Sequence, residues 1–436
     1  MMSLLDKAKQ FASSFELYEL TEESYNVSFK GWKLNESGIN QEAGKSVRLI
    51  VDGRIGFAGA KGVFDEEKLV ENARESASFG DEVALEFPKE AGSADVVVWD
   101  DKLAQLSLED MIRIGKSAME RFEDLRDSCD FEMSVSKSII HERIINSSGL
   151  DVSKRKTVFS LGFELMRVKE NDILSLWERE SSSMYPEDIA SLITTKEKKI
   201  REKLALADNL LRVPTGNIPV VLSPKGILVF LVPLLSGING KNIYTKTSPI
   251  WNRRGDVLFD SKLSVANDGT ISGKPSSDTH DDEGIPKRRT SIIKNGVLEN
   301  FVFDLLSAAR ANDASTASAQ RGVFSQPYPG TDNIVVEPGN VSYEDMLKGI
   351  KEGLLVEDVL GLGQGNVLSG GFSNPVGLAF KIENGELVGR VKDASIAGNI
   401  YDNFTAIEAL SSEQKWGYPS ILAPYVRLDN LSVVGK

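Results

Sequence analysis

Three Asp-Gly or Asn-Gly pairs lie between runs of alternating apolar and polar residues, and they constrain the fold more than any other feature of the sequence. The pairs are Asp52-Gly53, Asn295-Gly296 and Asn384-Gly385. A two-residue type I′ turn needs positive φ at both central positions, and these residue types adopt that conformation readily. The sequence therefore predicts three antiparallel hairpins, distributed over both halves of the 436-residue chain.

The N-terminal half combines helical and strand patterns. Apolar residues at helical spacing predict helices in the segments 4–15, 65–78, 108–125 and 186–211. Pro186 is expected in the first turn of the last helix, where its missing N–H leaves no bond unmade. Alternating apolar residues at Tyr25, Val27 and Phe29 predict a strand. Residues 129–180 predict a meander of further strands with one turn at INSSGLD.

The segment RVPTGN, residues 212–217, separates this half from a second part rich in strand patterns and glycine-containing turns. We place a domain boundary there, with an N-terminal α+β domain over 1–212 and a C-terminal β-rich domain over 213–436. The predicted fold class is α+β with two domains. The first combines helices with antiparallel strands, and the second is β-rich with a buried helix.

Composition excludes several classes of protein. The formal net charge of −13 argues against a broad phosphate-binding surface, because nucleic-acid affinity depends on clustered Lys and Arg. No apolar run approaches the roughly 18 residues of a membrane span, and the N-terminus lacks the residue order of a signal peptide. A single cysteine, Cys129, excludes an internal disulfide and a cysteine-rich zinc site. We expect a cytoplasmic protein without direct contact with membranes or nucleic acid.

One of the two histidines, His280, stands beside three acidic residues in THDDEG, residues 279–284. A zinc site needs three or four ligands converging from separate elements, and the acidic run does not follow the alternation of a calcium-binding loop. A solvated turn at Gly284 is the simpler interpretation. The acids and the basic run KRR that follows them are also able to hold a peptide by charge-assisted hydrogen bonds.

The other candidate sites are weaker. His141 lies in an alternating pattern, which indicates a structural position on one face of a sheet. The sequence has no GxSxG, so a serine hydrolase is not indicated. The run GLGQGNVLSGG, residues 361–371, lacks the strand-then-helix context and the Lys-Ser/Thr of a nucleotide-binding loop. Its glycines favour close backbone packing or the approach of a bound peptide.

Residues 209–255 contain no Asp, Glu, His or Cys, in a chain with 26% charged residues. Within them, 218–222 predicts a buried strand, and Ser223 and Pro224 predict the cap and first turn of the next helix. Pro233 is expected to end or kink that helix. A buried or partner-facing helix explains the lack of acidic residues.

The C-terminal half resembles the TldD/PmbA family in an ordered set of motifs, and members of that family are often described as modulators of DNA gyrase. The motifs are DDEGIPKRRTSIIKNGVLENFVFD (281–304), VEPGN (336–340), LLVEDVLGLGQGNVLSGGFS (354–373), AFKIENGELVGRVKDASIAGN (379–399) and VRLDNLSVVG (426–435). Each motif alone is weak, but their order is specific. The N-terminal half agrees in layout, with GRIGFAGA (53–60) as its best match.

The resemblance implies a zinc metalloprotease family with two branches. The TldD branch carries His-Glu-x-x-x-His on the helix after the strand that matches 218–222, together with a downstream cysteine. The PmbA or TldE branch lacks these ligands and pairs with TldD. Here the matching helix reads ILVFLVPLLSGIN (227–239), and LSSEQ (410–414) stands where the cysteine is expected. The chain is therefore similar to the PmbA/TldE branch, and we expect no metal, no cofactor and no catalytic residue.

The resemblance further implies a non-catalytic subunit that helps a TldD-like protease subunit to bind unfolded or extended peptides, and a homodimer when the chain is isolated. Peptide contacts are expected at Asp282, Glu283, Gly284, Arg288, Arg289, Gly370 and Gly371. Two alternatives stay open. One is a protein that modulates DNA gyrase by direct binding without proteolysis, and the other is an independent hydrolase with a different site.

Overall fold

The computed structural model describes residues 4–89, 92–170 and 172–435. The helices in these residues are α1 (Leu4–Phe11), α2 (Glu66–Ala77), α3 (Asp101–Ala104), α4 (Leu108–Glu120), α5 (Ile189–Ala207), α6 (Leu228–Gly237), α7 (Gly240–Tyr244), α8 (Leu305–Ala311), α9 (Tyr343–Lys348) and α10 (Ile400–Asn403). None of the helices in the described residues is long and apolar enough to cross a membrane.

The strands divide between two large sheets and one short pair. They are β1 (Ser14–Lys30), β2 (Lys33–Val51), β3 (Arg54–Lys61), β4 (Asp130–Asn146), β5 (Asp151–Lys169), β6 (Asp172–Ser182), β7 (Leu210–Leu211), β8 (Gly216–Leu222), β9 (Val265–Asp268), β10 (Arg289–Lys294), β11 (Val297–Leu298), β12 (Ala319–Gln320), β13 (Tyr328–Pro329), β14 (Asn333–Val336), β15 (Glu352–Val359), β16 (Gly371–Glu383), β17 (Glu386–Val391), β18 (Ser395–Asn399), β19 (Ala409–Tyr418) and β20 (Ile421–Val434). The predicted α+β class is confirmed.

The N-terminal sheet is antiparallel, in the order β3-β2-β1-β4-β5-β6. Its middle strands are long, and β1 pairs with β4 without interruption from Glu16 to Lys30. Strands β4 to β6 confirm the predicted meander, with a turn between Asn146 and Asp151. Buried and more exposed residues alternate along β5, as expected for a sheet that is covered on one face.

Helices α4 and α5 cover the apolar face of the N-terminal sheet. Phe131 on β4 lies at the centre of this layer, with ring centroids 5.2 Å from Trp32 and 5.0 Å from Phe122. Full burial of a large apolar side chain contributes about 1.5–3 kcal/mol. The same apolar cluster continues to Leu355 on β15 and Phe380 on β16, so it connects the two sheets.

The C-terminal sheet is mixed, and its central path runs β11-β10-β9-β14-β20-β8-β15-β16-β17-β7. Strand β20 is parallel to β14 and antiparallel to β8, while β8 is parallel to β15. Val220, Val221 and Leu222 on β8 are all buried. A continuous apolar run of this kind is typical of a strand covered on both faces.

All three predicted hairpins are confirmed. They connect β2 to β3, β10 to β11 and β16 to β17. The residues at the turns have φ of +49° and +75° at Asp52-Gly53, +48° and +81° at Asn295-Gly296, and +49° and +86° at Asn384-Gly385. Positive φ at both positions is what a type I′ turn requires.

Several helix boundaries in the N-terminal half differ from the prediction, since α4 ends at Glu120 and α5 at Ala207, both before their predicted ends. Helix α5 begins at Ile189, because the Asp188 side chain accepts a 2.9 Å hydrogen bond from the Ser191 N–H and caps the helix. Pro186 therefore precedes the helix, and its predicted place in the first turn is wrong. Helix α1 ends at Phe11 because the chain enters β1 at Ser14.

The helix after β8 also differs in its start and its end. The Ser223 hydroxyl accepts hydrogen bonds of 3.1 Å from the N–H groups of Lys225 and Gly226, which forms a separate turn before the helix. Helix α6 therefore begins at Leu228 rather than beside Ser223. Pro233 does not end the helix, which continues to Gly237, and the alternative that Pro233 kinks it stays a prediction.

The predicted domain boundary at 212/213 falls directly after β7. This two-residue strand pairs in parallel with β17 of the C-terminal sheet, so the last residues before the boundary already contact that sheet. The division into domains over 1–212 and 213–436 stays a prediction.

Candidate functional site

Helix α6 occupies the position at which the resemblance implies metal ligands in the protease branch. Its inward side chains are apolar, and Phe230 lies at the centre of them. The Phe230 ring stacks on Phe404 with centroids 4.3 Å apart and meets Phe259 edge-on at 5.4 Å. Leu231 and Leu234 are also fully buried. The helix therefore contributes to a hydrophobic core and presents no imidazole or carboxylate.

These residues do not fit a catalytic zinc ion, which needs three N, O or S ligands and an open position for water. In the described ranges, no three His, Cys, Asp or Glu side chains are placed to hold a metal ion. His141 is exposed on β4, with its ring 5.7 Å from that of Trp99, and Cys129 is buried in the N-terminal half. No metal-dependent step is therefore assigned to the residues of this chain.

The acidic turn 281–284 is a structural junction. Asp281 is buried and accepts hydrogen bonds from the N–H groups of Glu283 (3.0 Å), Ile285 (2.9 Å) and Ala319 (3.1 Å), so it holds the turn and a distant loop together. The imidazole of His280 is buried beside it, and this burial lowers the pKa of His280. The turn is therefore buried in the protein, and its interpretation as a solvated turn is wrong.

Asp282 belongs to a cluster of charges centred on Lys154 of β5. The Lys154 ammonium lies 2.7 Å from Asp282, 3.2 Å from Asp278 and 3.2 Å from Glu142. Lys156 adds a contact of 2.8 Å to Asp278. Although burial opposes the charge, the three carboxylates raise the pKa of Lys154 well above its usual value. Asp282 is thereby engaged within the chain.

Glu283 belongs to a second cluster, which connects the N-terminal sheet to the acidic turn. Arg48 on β2 contacts Glu283 at 2.8 Å and Glu16 at 3.1 Å, and Arg321 contacts Glu16 at 2.6 Å. The second Glu283 oxygen accepts a 2.7 Å hydrogen bond from the Leu305 N–H. Burial raises the pKa of Glu283 to about 8. Arg48 acts against this shift, and nearby carboxylates act in the same direction as burial.

The remaining residues of the predicted site near this turn face different surroundings. Gly284 has a φ of +83°, which suits glycine in a tight turn. Arg288 is exposed and donates to the Ser315 carbonyl. Arg289 begins β10 and lies 2.9 Å from Asp268. These two arginines are accessible, whereas the two acids of the prediction are engaged in buried clusters.

Gly370 and Gly371 lie at the start of β16, after the glycine-rich loop. Gly370 has a φ of +86°, and a Cβ there would lie 2.6 Å from the Tyr401 ring, so glycine is required for packing. No hydrogen bond or ion pair within the described residues joins these glycines to the 282–289 set. That the seven residues contact a peptide stays a prediction.

A cavity of about 330 Å³, which the sequence did not reveal, lies beside the turn that precedes α6. We call it the lysine cavity. It is lined by Glu178, Lys199, Glu202, Lys203, Leu206, Ser223, Pro224, Lys225, Tyr343, Leu355, Glu357, Phe380, Leu387, Lys415, Trp416, Gly417 and Tyr425. These residues come from both sheets and from α5, so no local pattern could predict their proximity.

The side chain of Lys225 is largely buried at the edge of the lysine cavity. It donates a 2.8 Å hydrogen bond to the Trp177 carbonyl and one of 3.1 Å to Glu178, and it lies 3.6 Å from the Trp177 ring centroid. Burial, together with the neighbouring Lys203, lowers the pKa of Lys225 to about 8 despite the attraction of Glu178.

Glu178 balances two of the lysines. Lys203 lies 3.1 Å from Glu178 and 2.9 Å from Glu357. Burial acts to raise the pKa of Glu178, but the ammonium groups around it, chiefly those of Lys225 and Lys203, together have the larger effect and lower this pKa to about 2. This part of the cavity is a closed network of two cations and two anions.

Two models of protein families match segments of this chain. The family model described as "PmbA/TldA metallopeptidase C-terminal domain" matches residues 215–435, and the one described as "PmbA/TldA metallopeptidase domain 1" matches residues 15–77. The chain belongs to the PmbA/TldD metallopeptidase family.

Two of the relatives extend over most of the chain, and a third covers about half of it. An uncharacterized protein of Methanocaldococcus jannaschii is 27% identical over 421 residues, which cover 94% of this chain and 95% of that protein. A metalloprotease of the same organism is 25% identical and covers 90% of this chain and 88% of its own length. A metalloprotease TldD homolog of Haemophilus influenzae is 28% identical over 216 residues, which cover 49% of this chain and 44% of that protein.

Two solved structures share the fold. TldE from Thermococcus kodakarensis has a TM-score of 0.88 and 21% identity, and the alignment covers 99% of this chain and 100% of that one. A protein from Thermotoga maritima, described as a candidate modulator of a DNA gyrase, has a TM-score of 0.87 and 22% identity, with 99% of both chains covered. At this level of identity, the likeness concerns the fold.

Proposed function

We propose that this chain is a non-catalytic subunit of a zinc metalloprotease complex of the TldD/TldE type, and that it helps a TldD-like protease subunit to bind unfolded or extended peptides. The observation that carries the proposal is helix α6. In a chain of a metallopeptidase family, the helix after β8 places Phe230 and its apolar neighbours in the core instead of metal ligands.

Fold similarity to a protein named TldE supports the same assignment, because the likeness extends over nearly the whole chain. The proteolytic activity proposed for the complex is based on relatives that are named as metalloproteases. In the isolated state, we expect the chain to form a homodimer through the surface it would offer to the protease subunit.

An unpaired strand edge supports the binding of extended peptides. Residues 33–42 of β2 pair with β1 on one side, whereas β3 reaches only as far as Gly44 on the other. Among the described residues, no strand covers this part of the outer edge. Ile39 on this segment is exposed. A free edge of this kind accepts an added strand through main-chain hydrogen bonds.

A second strand edge is closed to such addition. Carbonyl groups along the outer edge of β6 accept hydrogen bonds from cationic side chains, with Lys225 reaching Trp177 and Lys196 reaching Arg179 at 2.9 Å. Cationic side chains at an edge are a common protection against unwanted pairing. Strand addition is therefore proposed for β2 and not for β6.

Co-expression with the TldD-like protease of the same source tests the proposal. We expect the two chains to co-purify, and the complex to cleave an unstructured peptide faster than the protease alone, with no cleavage by this chain alone. Cleavage by this chain alone, removed by a chelator, would contradict the proposal. A supercoiling assay with purified gyrase, run on the same preparation, tests the alternative of direct gyrase modulation.

A further inference from the structure

The lysine cavity contains more positive charge than its own carboxylates balance. Lys203 and Lys225 are paired with Glu178 and Glu357, as described above. The remaining acid of the lining, Glu202, lies on the exposed face of α5, 3.8 Å from Lys198, and both side chains point to solvent. It therefore does not neutralise the interior of the cavity.

Two further lysines of the lining lack a carboxylate partner. Within the described residues, neither Lys199 nor Lys415 has an acidic oxygen within 4 Å, and Lys415 reaches only the Tyr425 hydroxyl, at 3.4 Å. Lys199 is partly buried on α5. Burial lowers the pKa of Lys199, and the charges of Lys196, Lys415 and Lys203 act in the same direction, against the attraction of Glu178.

The walls around these two lysines are largely apolar and aromatic. The rings of Tyr343 and Tyr425 lie 4.1 Å apart, and Lys415 lies over the Tyr425 ring at 5.1 Å. Trp416 and Phe380 complete this side of the cavity. A volume of about 330 Å³ is at the lower end of the range for ligand pockets. The space therefore suits one peptide side chain or chain end rather than a large cofactor.

We propose that the lysine cavity binds a carboxylate of a peptide between Lys199 and Lys415. A carboxylate would supply the missing negative charge and accept hydrogen bonds from both ammonium groups, while the aromatic walls would contact the attached carbon chain. The peptide nature of the ligand rests on the proposed function. The requirement for negative charge rests on the cavity alone.

Two kinds of peptide carboxylate fit this description, namely an Asp or Glu side chain and the C-terminal carboxylate. Both present two oxygens on a planar group that carries one negative charge. Four versions of one unstructured eight-residue peptide distinguish them: a free acid with a single Glu, its C-terminal amide, the version with Gln for Glu, and the version with both changes.

Isothermal titration of the full-length chain with these peptides is the test. Removing both carboxylates is expected to weaken binding at least ten-fold, and the single changes identify which carboxylate is used. Lys199→Gln and Lys415→Gln are each expected to weaken binding of the carboxylate peptide at least ten-fold. Lys198→Gln, on the neighbouring exposed position of α5, is the matched control and should stay within two-fold.

Equal affinity for all four peptides, or no binding at millimolar concentration, would overturn the proposal. The same holds if Lys198→Gln weakens binding as much as Lys199→Gln does. Circular dichroism checks that each variant is folded. If Lys199→Gln does not fold, Lys415→Gln still tests the proposal, because Lys415 is exposed. Assembly with the protease subunit is measured separately. An assembled, active complex without carboxylate preference refutes only this inference, whereas carboxylate binding without assembly refutes only the proposed function.

Discussion

Arg48 on β2 and Glu283 in the turn 281–284 form a buried hydrogen bond of 2.8 Å between residues 235 positions apart in the sequence. Both side chains are almost completely inaccessible to water. Arg48 also holds Glu16 on β1. The cluster therefore fixes the C-terminal half of the chain against the face of the N-terminal sheet.

Arg48→Met is expected to destabilise the protein by about 3–5 kcal/mol, because it removes a cation from the buried Glu16 carboxylate and the donor to a buried oxygen of Glu283. Urea unfolding at pH 7 measures the loss. The control is Arg143→Met, which removes an exposed pair with Asp151 and should cost less than about 1 kcal/mol. Similar losses in the two variants would contradict the role assigned to Arg48.

Phe230→Ala is expected to cost about 3–5 kcal/mol, since the ring is fully buried against Phe404 and Phe259. Phe79→Ala removes a ring that is 92% exposed and should change the free energy of unfolding by less than about 0.5 kcal/mol. Thermal unfolding of both variants checks this pair. A small effect of Phe230→Ala would contradict the central position of α6 in the hydrophobic core.

Glu178 predicts a dependence of stability on pH. Its pKa in the folded protein is about 2, below the ordinary value of 4.5, so ionised Glu178 stabilises the fold above pH 4.5 and loses this effect as the pH falls toward 2. The difference in unfolding free energy between wild type and Glu178→Gln should therefore be about 3 kcal/mol at pH 7 and about 2 kcal/mol at pH 3.5.

Urea unfolding of both proteins at the two pH values measures this change. Glu202→Gln is the matched control, because Glu202 lines the same cavity from the exposed face of α5. Its effect should be near zero at both pH values. A Glu178→Gln effect that does not decrease at low pH would contradict the assigned ion pairs.

Lys225 should titrate near pH 8, because burial lowers the pKa of its ammonium group to about 8. NMR of lysine labelled at the side-chain carbon and nitrogen measures the titration, and the signal is assigned by its loss in Lys225→Met. The charged form of Lys225 is disfavoured by folding, so this group opposes stability below pH 8 and ceases to do so as the pH rises toward 10.5. A midpoint above 10 would contradict the described burial.

Local patterns were sufficient for much of the fold. The hairpin at Asn384-Gly385 and the strand containing Val27 follow from residue types that are adjacent in sequence. Helix boundaries were less predictable because single side chains decide them. Helix α5, which Asp188 caps, begins three residues beyond its predicted start, and Ser223 closes a turn instead of capping α6 directly.

The charged clusters depend on contacts that no local pattern encodes. Arg48 and Glu283 meet only after the sheet and the distant turn are folded together. The lysine cavity likewise brings Glu178, Lys225 and Lys415 together from separate elements. The acidic run at 281–283 is an unusual feature of the sequence. Its structural role depends on the burial of these side chains and on their partners, which the sequence does not show.

The zinc content of the chain, purified alone without chelators and without a histidine tag, tests the central claim most directly. Elemental mass spectrometry measures it. A non-catalytic subunit predicts less than about a tenth of a zinc ion per chain, since the described residues lack a converging ligand set and catalytic sites bind zinc tightly. About one zinc ion per chain, together with peptidase activity that a chelator removes, would contradict the account.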